Sequence, residues 1–346
     1  MTAPLTERER AVLEAVIETY VQTAEPAGSR TIAKRYQQLG LSPATIRNTM
    51  SDLEEKGYLY HPHTSAGRIP TDLAYRVYVD HLMRPPMVAA AQAEHIRGEL
   101  EGQRSAVETI LARAAQVLGV LTSELGVAVG PTIEEAVLER LDLLQVSTER
   151  LLLVLALRSG AVRTIFVEVP AELAAESVQK VTVVLNERLA GLTLKEIRAT
   201  LAQRLRDASA AEPGSSQLLN IFIQEADELF EVPVANAGPV HLGSTQPLAG
   251  QPEFATRAQL QGLLDVTERR DLLRDALSAR GGEGLTISIG QEHSDARLST
   301  FTLVTSTYHF GPLTGVIGVM GPTRMAYDKI AALVNHTSQL VGELLE

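Results

Sequence analysis

Three short helical patterns near the N-terminus, each with its own start and stop signals, constrain the fold of this chain more than any other feature. Thr6 followed three residues later by Glu9 is typical of a capping box that opens a first helix. Ser29 is predicted to cap a second helix, which Gly40 ends, and Ser42-Pro43 is predicted to open a third. Short helices joined by tight turns predict a helix-turn-helix.

The third helix is predicted to have one apolar face and one polar face. Ile46, Met50 and Leu53 recur at the spacing of a helix face that packs on a core. The opposite face carries hydroxyl groups, a methyl group, an arginine and an amide, which are groups that read base edges in the major groove of DNA. We therefore predict a recognition helix, with an ordinary solvated helix face as the alternative. The candidate contact residues are Ala44, Thr45, Arg47, Asn48 and Ser51, with Ser42 at the start of the helix.

A strand, a polar turn and a returning segment are predicted to follow the third helix. Gly57 is positioned to end that helix, and the strand pattern of Tyr58 to Tyr60 comes next. The segment 61–70 contains Gly67 and completes the pattern of a wing with Arg68 near its tip. An arginine on such a loop can enter a minor groove or bind phosphates. The candidate wing contacts are His63, Thr64, Ser65 and Arg68.

The charge of this region differs from that of the whole chain. The formal net charge of the protein is −11, yet residues 26–51 contain no Asp or Glu. A locally basic face on an acidic protein indicates a polyanionic partner, and double-stranded DNA is the partner that we predict. The candidate phosphate contacts are Arg30, Lys34 and Arg35, and Thr31 is a further candidate DNA contact.

The rest of the chain predicts an α+β multidomain protein. A length of 346 residues indicates two or three domains, and the double proline at 85–86 indicates a boundary after a first domain, followed by a helical linker. Strand patterns, a helical interval, further strands and a last helix predict an α+β domain interrupted by an insertion. The strands are predicted at 138–146, 151–157, 161–169, 285–290, 301–310 and 315–320, and the helices at 172–189, 194–206, 216–231 and 323–344.

Three strings of residues resemble the family of HrcA heat-inducible transcription repressors. They are Glu25-Pro26-Ala27-Gly28-Ser29-Arg30-Thr31-Ile32-Ala33, Leu41-Ser42-Pro43-Ala44-Thr45-Ile46-Arg47-Asn48 and Pro62-His63-Thr64-Ser65-Ala66-Gly67-Arg68-Ile69-Pro70-Thr71. The resemblance resumes near the C-terminus in Gly315-Val316-Ile317-Gly318-Val319-Met320-Gly321-Pro322-Thr323-Arg324-Met325. Small departures occur, and Thr49 stands where an acidic residue is more usual in the family.

The resemblance implies a domain plan and a function. It implies a winged-helix DNA-binding domain at 1–84, a helical linker at 85–125, and a GAF-like domain in two segments, 126–171 and 234–346, interrupted by a helical dimerisation domain at 172–233. It also implies a homodimer that binds an inverted-repeat operator, the CIRCE element, and represses heat-shock chaperone operons of the groE and dnaK type. A GroEL-type chaperonin is expected to modulate its activity.

Catalytic and cofactor chemistry has little support in the sequence. There is no Cys, which excludes disulfides, thiolate metal sites and Cys nucleophiles. His61 and His63 form a His-x-His pair, but we interpret them as neighbours of DNA phosphates rather than as metal ligands. The loop Gly321 to Arg324 precedes a predicted helix, where it could bind an anion or supply Thr323 as an N-cap. We expect no enzyme activity, cofactor or metal.

Three hypotheses remain open. The first is a dimeric repressor of chaperone operons, and the second is a metabolite-responsive repressor whose GAF-like domain holds a small molecule. The third is an enzyme or scaffold whose N-terminal module mediates protein contacts. No apolar run is long enough to span a bilayer and no secretory signal is present, so we expect a cytoplasmic protein.

Overall fold

The computed structural model describes residues 5–63, 67–101, 107–131, 136–158, 162–169, 173–206, 213–224, 229, 239–278, 284–311 and 313–345. These residues form a mixed α+β structure that divides into two compact units. The first unit comprises Met1–Val129, Val240–Tyr308 and Val316–Leu345, and the second comprises Gly130–Pro239 with His309–Gly315.

The helices, numbered in chain order, are α1 (Glu7–Thr23), α2 (Ser29–Arg35), α3 (Pro43–Glu55), α4 (Asp72–Val77), α5 (Ala90–Glu101), α6 (Val107–Thr122), α7 (Ala175–Leu189), α8 (Leu194–Leu205), α9 (Pro213–Gln224), α10 (Gln246–Ala249), α11 (Arg257–Glu268), α12 (Arg270–Ser278) and α13 (Tyr327–Leu345). The strands are β1 (Leu59–Tyr60), β2 (Ile69–Pro70), β3 (Leu125–Val129), β4 (Leu138–Ser147), β5 (Arg150–Leu157), β6 (Val162–Glu168), β7 (Val240–Leu242), β8 (Leu285–Ile289), β9 (Phe301–Phe310) and β10 (Leu313–Pro322).

Helices α1 to α4 with β1 and β2 form an N-terminal module, residues 5–63 and 67–83. The predicted capping box forms at the start of α1, where the Glu9 N–H donates to Thr6 Oγ1 at 3.2 Å and the Thr6 N–H donates to Glu9 Oε2 at 2.8 Å. Strands β1 and β2 pair antiparallel. The turn glycines Gly40 and Gly57 have positive φ angles of 63° and 80°, as helix-ending glycines require.

A five-stranded sheet in the order β7-β3-β10-β9-β8 is the centre of the rest of the first unit, which we call the body. Helices cover both faces of this sheet. On the face of Ala128, the strands share a core with α6 and α13, and on the face of Val127 they share a core with α11 and α12. Every residue of β3 is buried for this reason. A Cβ at Gly126 would lie 1.8 Å from the Ala115 carbonyl oxygen, so α6 packs on β3 at a distance that requires glycine.

The second unit contains a three-stranded antiparallel meander in the order β4-β5-β6. One face of the sheet shares a core with α7, α8 and α9, which includes Leu153, Leu185 and Phe222. The side chain of Asn186 on α7 bonds both backbone groups of Leu141, because Oδ1 accepts from the Leu141 N–H at 2.8 Å and Nδ2 donates to the Leu141 carbonyl at 2.6 Å. This contact occupies backbone groups of an edge strand.

The structure differs from the sequence expectations in the grouping of the strands. The meander was expected to belong to the same α+β domain as the later strands, but it forms its own sheet in the second unit, which begins at 130 instead of 172. Strands β3 and β7 and helices α10 to α12 were not predicted. A short apolar run such as β3 directly after a helix cannot be assigned from periodicity alone. Thr323 is not an N-cap, because the last helix begins at Tyr327.

Candidate nucleic-acid interface

Helix α3 is held by its N-cap and by its buried face. The Ser42 Oγ accepts a hydrogen bond from the Thr45 N–H at 3.1 Å, and Pro43 occupies the first turn. Ile46, Met50 and Leu53 are buried, as predicted. The other end of the helix is tied to α1, because Lys56 Nζ lies 2.6 Å from Glu9 Oε1. The hydrogen bond from Lys56 is the main cause of the lowered pKa of Glu9.

The opposite face of α3 is open to solvent in its first two turns. Ala44, Arg47 and Asn48 are exposed, whereas Thr45 and Ser51 are half-buried. Thr49, the departure from the family pattern, is buried and its hydroxyl donates to the Thr45 carbonyl at 3.1 Å. An acidic residue at this position would replace a hydroxyl that bonds the helix's own backbone.

Helix α2 carries the basic side chains next to this face in sequence. Arg30, Thr31 and Lys34 are exposed. Arg35 is exposed but engaged, because Nη2 donates to the Gln22 side chain and the guanidinium lies 5.9 Å from the centroid of the Tyr36 ring. Ser29 is not the N-cap of α2, contrary to the prediction. Gly28 occupies that position, and Ser29 is a buried first residue.

The returning strand after the turn packs against the start of α2. The Ala27 N–H donates to the Arg68 carbonyl at 2.9 Å, and the Arg68 N–H donates to the Ala27 carbonyl at 3.0 Å. A Cβ at Gly67 would lie 2.5 Å from the Pro26 and Ala27 carbonyl oxygens, so Gly67 is required by this close approach. Thr64 and Ser65, two of the candidate wing contacts, lie outside the described residues. His63 is exposed.

The Arg68 side chain is half-buried and paired within the module. Its Nη2 lies 2.7 Å from Glu54 Oε2 on α3, and the other carboxylate oxygen of Glu54 contacts His61 Nδ1. The guanidinium therefore joins the returning strand to α3. The sequence prediction of an arginine near the tip did not include this pair, since the two residues are 14 positions apart and nothing in their spacing indicates a contact.

The N-terminal module is attached to the body by charged groups that sequence reasoning missed. Arg76 on α4 pairs with Glu292, with Nε 2.7 Å from Oε1, and its Nη2 donates to the Ile287 carbonyl at 2.7 Å. Arg324 pairs with Glu253, with Nη2 2.9 Å from Oε2, and its Nη1 donates to the Val21 carbonyl of α1 at 2.9 Å. Arg324 belongs to the loop that the sequence offered as an anion site, but a carboxylate of the same chain occupies its guanidinium.

Within the described ranges, no group of three or more His, Cys, Asp or Glu side chains has the arrangement of a metal site. Among those described residues, no third side chain of this kind joins His61 and His63. Over the same ranges, no helix is long and apolar enough to cross a membrane.

Comparison with known proteins identifies close relatives over the whole chain. The family model described as the HrcA protein C-terminal domain matches residues 108–331. The "heat-inducible transcription repressor HrcA" of Chlorobium phaeobacteroides is 38% identical over 99% of this chain and 98% of its own length. The protein of the same name from Pelotomaculum thermopropionicum is 36% identical over 99% of this chain and 97% of its own length.

A solved structure shares the fold. The crystal structure of a protein described as hypothetical is similar over 99% of both chains, with a TM-score of 0.57 and 22% sequence identity.

Proposed function

The chain belongs to the HrcA family, and we propose that it acts as its named relatives do, as a heat-inducible repressor of transcription that binds duplex DNA through the N-terminal module. We assign this module as a winged helix-turn-helix. The observation that carries the proposal is the exposed face of α3, with Ala44, Arg47 and Asn48, beside the basic residues of α2 in a segment without an acidic residue.

The exposed residues divide into two roles by their chemistry. Arg47 and Asn48 are assigned to base edges in the major groove, since a guanidinium pairs with guanine and an amide with adenine. Arg30, Thr31, Lys34 and Arg35 are assigned to phosphates, which position the module without reading the sequence. Ser42 and Thr45 contribute mainly through the cap that orients the helix, and Ser51 lies at the edge of the face.

The wing is assigned to residues 59–70. His63, Thr64 and Ser65 are its proposed contacts with the DNA backbone. Arg68 remains in the proposed interface, but its pair with Glu54 supports a role in holding the wing against α3 rather than entry into a groove.

The proposed target is an inverted repeat, the CIRCE element of groE- and dnaK-type operons, bound by a homodimer. A single module offers few base contacts, so two half-sites supply the specificity. The second unit supplies a surface for self-association, because the sheet face opposite its helices carries an exposed apolar row. Leu144 is paired in register with Leu152, and Leu152 with Phe166, so the three form a row across the sheet.

The exposed fractions of this face support its assignment as the dimer interface. They are 54% for Leu144, 57% for Val146, 65% for Val162 and 62% for Phe166. Exposed apolar patches of this kind mark association surfaces in proteins. The expected dimerisation domain at 172–233 thus becomes, in this proposal, the whole second unit with its sheet included. The five-stranded sheet with α6 and α13 is the proposed GAF-like domain.

Binding to duplex DNA is tested by titrating the full chain against a labelled inverted-repeat duplex and a shuffled duplex at two salt concentrations. Arg47→Ala is expected to weaken binding to the inverted repeat by about 1–3 kcal/mol and to reduce the preference over the shuffled duplex. Lys34→Ala is expected to weaken binding to both duplexes alike and to lower the salt slope by about 1.

The matched control is Arg257→Ala, which removes an exposed arginine from α11 of the body. It is expected to leave both affinities unchanged. If Arg47→Ala and Arg257→Ala bound the inverted repeat equally well, α3 would not be the recognition helix.

Modulation by a GroEL-type chaperonin rests on family membership and is tested in the same assay. At constant temperature, operator occupancy is expected to rise with free chaperonin and ATP, because more of the repressor is kept folded. Occupancy that is flat across a chaperonin titration, but changes when a metabolite extract is added, would favour a metabolite-responsive repressor instead.

A further inference from the structure

A cavity of about 450 Å³ lies between the N-terminal module and the body. One wall comes from the module, with Tyr20 of α1, Tyr60 of β1, and Asp72 and Tyr75 of α4. The body supplies Glu253 and the loop at Arg324. The lining therefore combines aromatic rings, phenol hydroxyls and carboxylates. Tyr60 belongs to the wing, but none of these groups is one of the proposed DNA contacts.

The single basic residue among the lining residues, all of which the structure describes, is already occupied. Arg324 bonds Glu253 through Nε and Nη2, donates to Gln251 Oε1 through Nη2, and donates to the Val21 carbonyl through Nη1. These contacts raise the pKa of Arg324, with the hydrogen bond to Glu253 as the main cause. The Arg324 and Glu253 charges offset each other, and the carboxylate of Asp72 leaves the lining with a net negative charge.

Tyr75 is a buried residue in the lining of this cavity. Its side chain is 1% exposed, and its hydroxyl has no hydrogen-bond partner in the structure. A buried hydroxyl without a partner costs free energy, so such groups in native proteins usually have a ligand or an ordered water. Burial and the nearby Tyr327 hydroxyl raise the pKa of Tyr75, so the oxygen stays protonated and neutral.

We propose that this cavity binds a small organic cation that carries a primary or quaternary ammonium group. The rings of Tyr20 and Tyr60 can attract a cation, and the Tyr75 oxygen can accept a hydrogen bond from its ammonium group. Asp72 supplies the charge that the cation offsets. It holds its position through the Gln291 N–H, which donates to Asp72 Oδ2 at 3.1 Å. An anion would lack a basic partner here, because Arg324 is already bonded to Glu253 and to the Val21 carbonyl.

The probes are ethylammonium and tetramethylammonium, with acetate as the anion of comparison. Binding to the full chain is measured by calorimetry and by the ring signals of the tyrosines in NMR spectra. Saturable binding of an ammonium probe with shifts at Tyr20, Tyr60 and Tyr75 is the expected result. Asp72→Asn is expected to weaken ethylammonium binding about tenfold, because a charged acceptor is lost. Tyr75→Phe is expected to weaken ethylammonium more than tetramethylammonium, since only the former donates a hydrogen bond.

Asp52→Asn and Tyr36→Phe are the matched controls, because they make the same chemical changes away from the cavity. Both are expected to bind the probes as the original chain does. Thermal unfolding verifies that each variant is folded. The proposal is overturned if neither ammonium probe binds saturably, if acetate binds in their place, or if Asp72→Asn binds ethylammonium as tightly as Asp52→Asn does. None of these readouts involves DNA, so failure here is separate from failure of the proposed repressor function.

Discussion

At the scale of single residues, Gly67 shows how one missing side chain positions the wing. Gly67→Ala is expected to lower the free energy of unfolding by about 1–3 kcal/mol, since the added Cβ meets backbone atoms that have no room to move. Urea unfolding measures the change. Gly98→Ala is the control, because Gly98 lies within α5 and nothing lies within 4 Å of its Cβ position. This control is expected to be stabilised by about 0.5–1 kcal/mol. Equal destabilisation of both variants would contradict the explanation.

A second prediction at this scale concerns Glu124, which is buried between α6 and β3. Burial raises its pKa from 4.5 to about 8, against the opposing effects of the Gln251 hydrogen bond and of Arg324. Between these two values the folded protein keeps a proton that the unfolded chain releases. The free energy of unfolding contributed by this group therefore falls as the pH rises, by roughly 1.4 kcal/mol per pH unit.

Glu124→Gln is expected to remove this dependence, because the amide stays neutral and its oxygen can still accept from Gln251. Unfolding in urea at about pH 5 and about pH 8 tests this. The free energy of unfolding of the variant, relative to that of the original protein, is expected to rise with the pH. Two stability curves that run parallel across this range would show that Glu124 does not titrate as inferred.

At the scale of elements, the cap of α3 should affect stability and DNA binding together. Ser42→Ala is expected to cost about 1 kcal/mol of stability, because the Thr45 N–H loses its acceptor. It should also weaken operator binding, since the frayed turn carries Ala44. Thr193→Ala removes the corresponding cap of α8 in the second unit, where Thr193 Oγ1 accepts from the Glu196 N–H at 3.1 Å. This variant should lose similar stability and retain the affinity of the folded protein for the operator. Equal loss of affinity in the two variants would argue against a local role of the cap.

At the scale of the whole molecule, the prediction concerns the surface through which two copies associate. Phe166→Asp places a charge in the exposed apolar row of the meander and is expected to shift the protein from dimer to monomer in sedimentation experiments. Val183→Asp makes the same type of change on α7, where Val183 is 52% exposed. It is expected to remain dimeric. The reverse result would assign the interface to the helices, as the family resemblance had implied.

The sequence by itself determined the features that depend on neighbouring residues. The capping box at Thr6, the Ser42 cap, the positive φ angles of Gly40 and Gly57, and the three strands of the meander were all predictable from local spacing. The division of α3 into a buried and an exposed face was predictable too, because the helical repeat alone decides which residues share a face. The exposed part of the candidate site therefore followed from residues 42–51 without a structure.

Only the tertiary structure decided what depends on residues far apart in the chain. The pair of Arg68 with Glu54, the approach of Gly67 to Ala27, and the bond of Arg76 to Glu292 across 216 positions have no signature in local spacing. The same is true of the strand order that separates the meander from the five-stranded sheet. Periodicity shows which face of a helix or strand is apolar. It does not show which other apolar face packs against it. The pairing of elements is decided by packing across the folded chain, where shape and charge select one partner among many.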